Sequence, residues 1–368
     1  MNNDREKLLK TMLSLAYTVD SGVGVKGDSP ASNKAAMGII QCMLNTADML
    51  KKKWKLVWGP RVYDLPIVSD GQSDNTMIVA QQEDTNTYAV AIAGTNAKSW
   101  SDWFFEDFAV GTQVLWRYGS PDPGTSPKIS WGTAFGLAIL QRMRPYKGIP
   151  GEEKTLAEFL QYVLKNPCGK DPFKIYVTGH SLGGALAPAT ALWLSDTQGT
   201  NPGIFQVPWD PDKKAKVYTF PFAGPTIGNG DIANYINSRF TGDQMVVTDN
   251  QLDIAPHAWN YETLEQIHTI YPPPYALPPA LGLALDAIAE ELKPLDYQPI
   301  GTDEQRLKIP GNIHNFPPPP PQSQLDRFAE QAAYQHICAY PIYFGLEQLL
   351  RAMADCSPGG LMKMCGIK

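Results

Sequence analysis

Five residues, Gly179-His-Ser-Leu-Gly183, place a serine between two glycines at two-residue spacing, with a third glycine, Gly184, directly after. A serine hydroxyl is inert at neutral pH unless a base takes its proton, so a nucleophilic reading of Ser181 requires a histidine and an acid elsewhere in the chain. The plainer reading is a tight turn with a serine capping the next helix. That reading explains Ser181 but not the glycines at 179, 183 and 184. A sharp strand-to-helix turn explains both. It forces the serine backbone toward strained angles, and side chains at Gly179 or Gly183 would strike the neighbouring strand or helix. The start of the helix also offers unpaired N–H groups, that of Leu182 among them, where negative charge would develop.

In a sheet of this kind the partners follow in the order serine, acid, histidine. Of the five histidines, His180 adjoins the serine and its side chain is expected to point away from it. His268 lies in a Leu- and Ile-containing segment, His314 stands just before five prolines, and His257 follows the acids too closely to face them. His336, in Ala332-Ala-Tyr-Gln-His-Ile-Cys-Ala-Tyr340, is left as the base. Asp249 and Asp253 both follow the strand expected at Met245–Thr248, at the sheet edge where ligands bind in such folds, and either could be the acid or a simple turn residue.

The elements needed to hold these groups are legible. Helical periodicity marks 5–20, 33–53, 133–144 and 154–165, the last closing before Asn166-Pro167. Strands are expected at Trp54–Trp58, Thr76–Gln82, Tyr88–Ala93, Lys174–Thr178 and Lys216–Phe220, with helices at Leu182–Ser195 and near 229–240. Strands alternating with helices indicate a largely parallel sheet covered on both faces. A helical stretch over 1–60 precedes this unit. Residues 272–321, bounded by Pro272–Pro274 and Pro317–Pro321 around an apolar helix at 279–292, read as a surface insertion or cap on a single domain spanning 1–368. Gly22-Val-Gly-Val-Lys-Gly27 fits a dinucleotide-binding pattern but follows a helix and lacks a βαβ unit, so it reads as a loop.

The whole chain sets outer bounds. Its 368 residues are 43% hydrophobic and 18% charged, as in globular domains, and the formal charge of −6 argues against a nucleic-acid surface. No apolar run reaches membrane-spanning length and no signal peptide is visible. The expected location is therefore cytoplasmic, with export by a cleaved leader or a specialised route as the alternative. The five cysteines are odd in number and widely spread. They suit neither a disulfide framework nor a zinc site and read as free thiols, with Cys356 and Cys365 the pair near enough in sequence for a local bridge.

Four motifs in order, across roughly residues 75–345, resemble the class 3 lipases, the α/β-hydrolase family typified by fungal triacylglycerol lipases. Ala93-Gly-Thr95 followed by Asp102-Trp103 and Asp107 is similar to the family's Gly-Ser/Thr and Asp/Asn-Trp signature, with Ala93 in place of the usual arginine. Gly179-His-Ser-Leu-Gly-Gly184 resembles its nucleophile elbow. Val217–Asn229 is similar to its Phe-Gly-x-Pro-x-Val-Gly-Asn segment, and Asn250-Gln-Leu-Asp-Ile-Ala-Pro256 to its Asn-x-x-Asp-x-Val-Pro motif. The last match selects Asp253 over Asp249.

The resemblance implies an α/β-hydrolase fold and a serine ester hydrolase acting on acyl lipids. Ser181 would be the nucleophile, Asp253 the acid, His336 the base, and Thr95 the second oxyanion donor beside Leu182. The stretch from Asp253 to His336 is long for the family, which keeps His314 as the next candidate. A phospholipid sn-1 ester or a feruloyl ester is an alternative substrate. A lipid-binding module on an inactive scaffold is the reading from a different class. No metal or organic cofactor is implied.

Asn96–Phe108 sets Trp100, Phe104 and Phe108 on one helical face with Trp103 beside it. Such a stretch is either a core helix or, as the resemblance suggests, a lid over an acyl-binding cleft that opens at a lipid–water interface. The helix at 279–292 is a second possible cover.

Overall fold

The computed structural model describes residues 3–23, 25, 27–63, 75–94, 110–199, 208–316, 323–357 and 365. Two helices lead, α1 (Asn3–Asp20) and α2 (Pro30–Thr46), the second capped by Ser29, whose side chain accepts from the Ser32 N–H. The dinucleotide-like glycine stretch begins in the turn that ends α1, between two helices.

Three strands follow: β1 (Trp54–Tyr63), β2 (Asn75–Gln82) and β3 (Thr87–Ile92). A short hairpin, β4 (Gln113–Leu115) and β5 (Lys128–Ser130), precedes α3 (Trp131–Arg142) and α4 (Leu156–Lys165). A capping box at Thr155 and Glu158 starts α4, each side chain bonding the other's backbone N–H.

Next come β6 (Phe173–His180), α5 (Leu182–Asp196), β7 (Ala215–Phe222), α6 (Gly230–Arg239) and β8 (Val247–Asn250). The C-terminal third adds α7 (Tyr261–Gln266), α8 (Pro279–Leu292), β9 (Arg306–Ile309), α9 (Gln324–Ala333), α10 (Ala339–Tyr343) and α11 (Glu347–Cys356).

Seven strands form one sheet in the order β1-β2-β3-β6-β7-β8-β9. The first two pairings are antiparallel and the remaining four parallel. Strand alternation divides the core between the two faces. Tyr88, Val90 and Ile92 of β3, with Ile175 and Val177 of β6, join α3–α5 on one face. Ala89 and Ala91, with Tyr176 and Phe220, join α1, α2 and the C-terminal helices on the other. A third cluster, containing Ile254, Trp259, Leu285, Tyr297 and Phe328, is built from the segments that follow β8 together with Val110. The fold is that of an α/β-hydrolase.

Three sequence expectations change here. Helix 33–53 stops at Thr46, with turns to Lys53. Residues 272–321 are more than a surface insertion: they hold α8 and also β9, the edge strand, whose parallel pairing with β8 runs from Val247–Arg306 to Asn250–Ile309. Its four residues are too few to show a period of their own. The cysteines are also not all free. Cys42 bonds Cys356, and Cys338 bonds Cys365, so the suspected local Cys356–Cys365 bridge does not form; Cys168 is left free and exposed. The first of these pairs is 314 residues apart in sequence, and only the docking of α11 beside α2 brings its two sulfurs together.

Candidate active site

Ser181 stands between β6 and α5 with φ 62° and ψ −125°. A non-glycine residue in that region carries strain of about 1–3 kcal/mol, held here by its surroundings. Its N–H donates to the Phe222 oxygen at 3.0 Å. The flanking glycines are required by distance. A Cβ on Gly179 would sit 2.3 Å from the Gly183 oxygen, and one on Gly183 2.1 Å from the Ile92 oxygen. The capping alternative fails, since the Ser181 side chain makes no capping bond to α5. Its Oγ is buried and has no hydrogen-bond partner among the described residues. The first N–H groups of α5, that of Leu182 included, have no partner within the helix by its geometry.

His336 lies in a single π-helical turn, Tyr334–Cys338, between α9 and α10, and is 2% exposed. Its Nδ1 meets both oxygens of Asp253, at 3.0 and 2.8 Å. Asp253 is fully buried in the turn after β8 and is held further by the Tyr340 hydroxyl at 2.8 Å and the Ala255 N–H at 3.0 Å. Because a carboxylate only accepts, the proton of neutral His336 sits on Nδ1 and the lone pair on Nε2. Burial, opposed by Asp253 and assisted by His180, lowers the pKa of His336 below its ordinary 6.5. The elbow is adjacent: the rings of His180 and His336 are 4.5 Å apart between centroids.

The family comparison follows this geometry. The family described as Lipase (class 3) matches residues 135–262. The crystal structure of M37 lipase is 32% identical, with a TM-score of 0.82, covering 97% of this chain and 98% of that one. The chain belongs to the class 3 lipase family. Lipase II from Rhizopus niveus is also similar (18% identity, TM-score 0.45, 72% of this chain and 78% of that one), as is Rhizomucor miehei lipase (21%, 0.44, 70% and 64%). No curated protein sequence matches.

The other residues singled out in this lipase-type ester hydrolase are accounted for in turn. Asp249 lies inside β8 and pairs with Arg306 of β9 across the strand boundary. Burial raises its carboxyl above the ordinary range, with Arg306 opposing. His257 Nδ1 lies 3.2 Å from the Thr263 oxygen, and His268 Nε2 lies 2.8 Å from Asp286. His314 stacks on Tyr334 at 4.0 Å rather than joining Asp253, and burial lowers its pKa.

Thr95, Trp100, Trp103, Phe104 and Phe108 lie outside the described residues. Gly94, just before Thr95, abuts the elbow: a Cβ on it would be 2.9 Å from the Ser181 Cβ. Among the described residues no group of His, Cys, Asp or Glu is arranged to hold a metal ion, and no helix is long and apolar enough to cross a membrane.

Sequence reasoning missed the supporting polar groups. Tyr340 bridges Asp253 and the Asn250 N–H, and Asn250 Nδ2 donates to the Gln335 oxygens, main-chain and side-chain alike. Tyr340 stands close after His336 in the sequence, but nothing there points to its partner Asp253, 87 residues away.

Proposed function

We propose that Ser181, His336 and Asp253 form the catalytic triad of a hydrolase acting on acyl esters of lipids. The supporting observation is the buried Asp253–His336 pair beside an uncapped, strained serine, in the chain order serine, acid, histidine. Ser181 Oγ attacks the ester carbonyl while His336 Nε2 takes its proton. The oxyanion is held by the Leu182 N–H and by Thr95, which follows the glycine packed on the elbow. His336 then protonates the leaving alcohol. Water, activated by the same nitrogen, releases the acid from the acyl-enzyme.

A lipid–water interface is the proposed place of action. Exposed Leu115, Trp131 and Phe135 border a groove of about 240 Å3 between the β4–β5 hairpin and α3, and the two aromatic rings stack at 5.0 Å. Trp131 joins an apolar ring to a polar N–H, which suits such a boundary, and Phe135 and Leu115 extend the apolar patch. Trp100, Trp103, Phe104 and Phe108 are proposed as a lid over the cleft. The two disulfides support an oxidising location outside the cytoplasm.

A panel of p-nitrophenyl esters from two to eighteen carbons, triglycerides and phosphatidylcholine, run beside a Ser181→Ala blank, tests the reaction and separates triglyceride, phospholipid and other esters. Wild-type protein that hydrolyses none of these, and whose Ser181 resists a fluorophosphonate, would support the inactive, lipid-binding scaffold instead.

A further inference from the structure

The mechanism leaves a second acid–imidazole pair unused, a buried His180 beside a half-buried Asp20. His180, 5% exposed, sets its Nε2 at 2.8 Å from the main-chain oxygen of His336. A carbonyl only accepts, so this nitrogen donates. Its Nδ1 lies 3.4 Å from Asp20 Oδ2, an ion pair when the ring carries both protons, and the other oxygen of Asp20 accepts the Gly94 N–H at 2.8 Å. Tyr17, one turn before Asp20 on α1, packs its ring 4.9 Å from His180 and donates its hydroxyl to the Ile337 oxygen at 2.7 Å.

Two successive carbonyls of the turn carrying His336 are thus held by side chains from β6 and α1. At Ile337 the need for an outside donor is local. Pro341 stands four residues after Ile337, the donor position of α-type bonding, and has no N–H to give, so the Ile337 oxygen turns to Tyr17.

We propose that Asp20 and His180 are positioning residues for the ester hydrolysis. Together they tether the main chain of the base to the end of β3 through Gly94, so that α1 holds the base and the segment leading to Thr95 in one register. This inference rests on the reading of His336 as general base. A His180 that merely filled space would do so equally well as a leucine.

The test is steady-state hydrolysis of a short soluble p-nitrophenyl ester by the full-length protein, with thermal unfolding measured alongside. His180→Leu is expected to lower kcat by about 10–100-fold with KM within about threefold, the effect of a misplaced catalytic group rather than lost substrate binding. His180→Gln, whose amide nitrogen reaches the place of the imidazole Nε2, is expected to return kcat to within about fivefold of wild type. His180→Asn reaches only the Nδ1 place and is expected to stay impaired. Asp20→Asn added to His180→Leu is expected to lower kcat little further, because the two residues act as one unit.

Wild-type kcat in folded His180→Leu, or equal rates for the Gln and Asn variants, would overturn the tether. The Gln–Asn comparison holds even if the leucine variant does not fold. A wild-type chain no faster than the Ser181→Ala blank removes the functional reading and the tether with it. An active wild type with indifferent His180 variants removes the tether alone.

Discussion

At the scale of single residues, the proposed chemistry depends on a nucleophile without a cap, Ser181, and a base without a charge, His336. Ser181→Ala is expected to abolish turnover in a folded protein, leaving at most the residual ~10³–10⁴-fold over water that an oxyanion hole and binding supply. His336→Ala should cost about as much, and His314→Ala little, since His314 stacks on Tyr334 and not on Asp253. Reversed results in an ester assay would move the base to the proline-bounded segment. The pH dependence has a definite sign. Burial depresses the folded pKa of His336, so the neutral imidazole predominates at pH 6.5 and above and is lost as pH falls through the lower folded value. The acid limb of kcat/KM on a soluble ester should therefore lie below pH 6.5; a limb at or above that value contradicts the buried geometry. Tyr340→Phe should lower stability by about 1.5–3 kcal/mol in denaturant titration, because a hydrogen bond to the buried Asp253 carboxylate is removed.

At the scale of elements, the elbow is a contact between β3, β6 and α5 with no room for a methyl group. Gly183→Ala would press against the Ile92 backbone, which cannot swing aside as a side chain would. The expected result is a loss of about 2–4 kcal/mol in unfolding free energy together with a fall in kcat, since the strain falls on Ser181. The proposed lid is tested on the same footing. Trp100→Ser combined with Phe104→Ser should blunt the rise in long-chain ester hydrolysis that accompanies emulsification while sparing short soluble esters. If these aromatics belong to a core helix, both activities and the Tm fall together.

At the scale of the molecule, the C-terminal helices close the face of the sheet on which α1 and α2 lie, and covalent bonds secure them there. Cys42–Cys356 joins α2 to α11, and Cys338–Cys365 begins two residues after His336. A long loop closed by a disulfide stabilises by about 2–5 kcal/mol on the chain-entropy view. Thiol titration of denatured, unreduced protein should find one group, Cys168, against five after reduction. Reduction of the native protein should lower the Tm. Five reactive thiols before reduction would speak for a reducing compartment.

The sequence by itself determined what is local. The strand–serine–helix turn lies within a few consecutive residues, and the near-continuous buried runs of β2, β3 and β6 and the capping of α4 are written in neighbouring side chains. The ordered motifs carried the family and the order of serine, acid and histidine. Tertiary structure decided whatever depends on residues far apart in the chain. It put Asp249 inside a strand, where Arg306 of β9 claims it, and Asp253 in the turn beyond, where His336 and Tyr340 reach it across 83 and 87 residues. It paired cysteines 314 residues apart, and it turned His180, read as pointing away from the serine, into a contact of the base. Periodicity reports which face of an element is apolar, but not which distant segment packs on that face. Those partners are selected only when the whole chain condenses around one sheet.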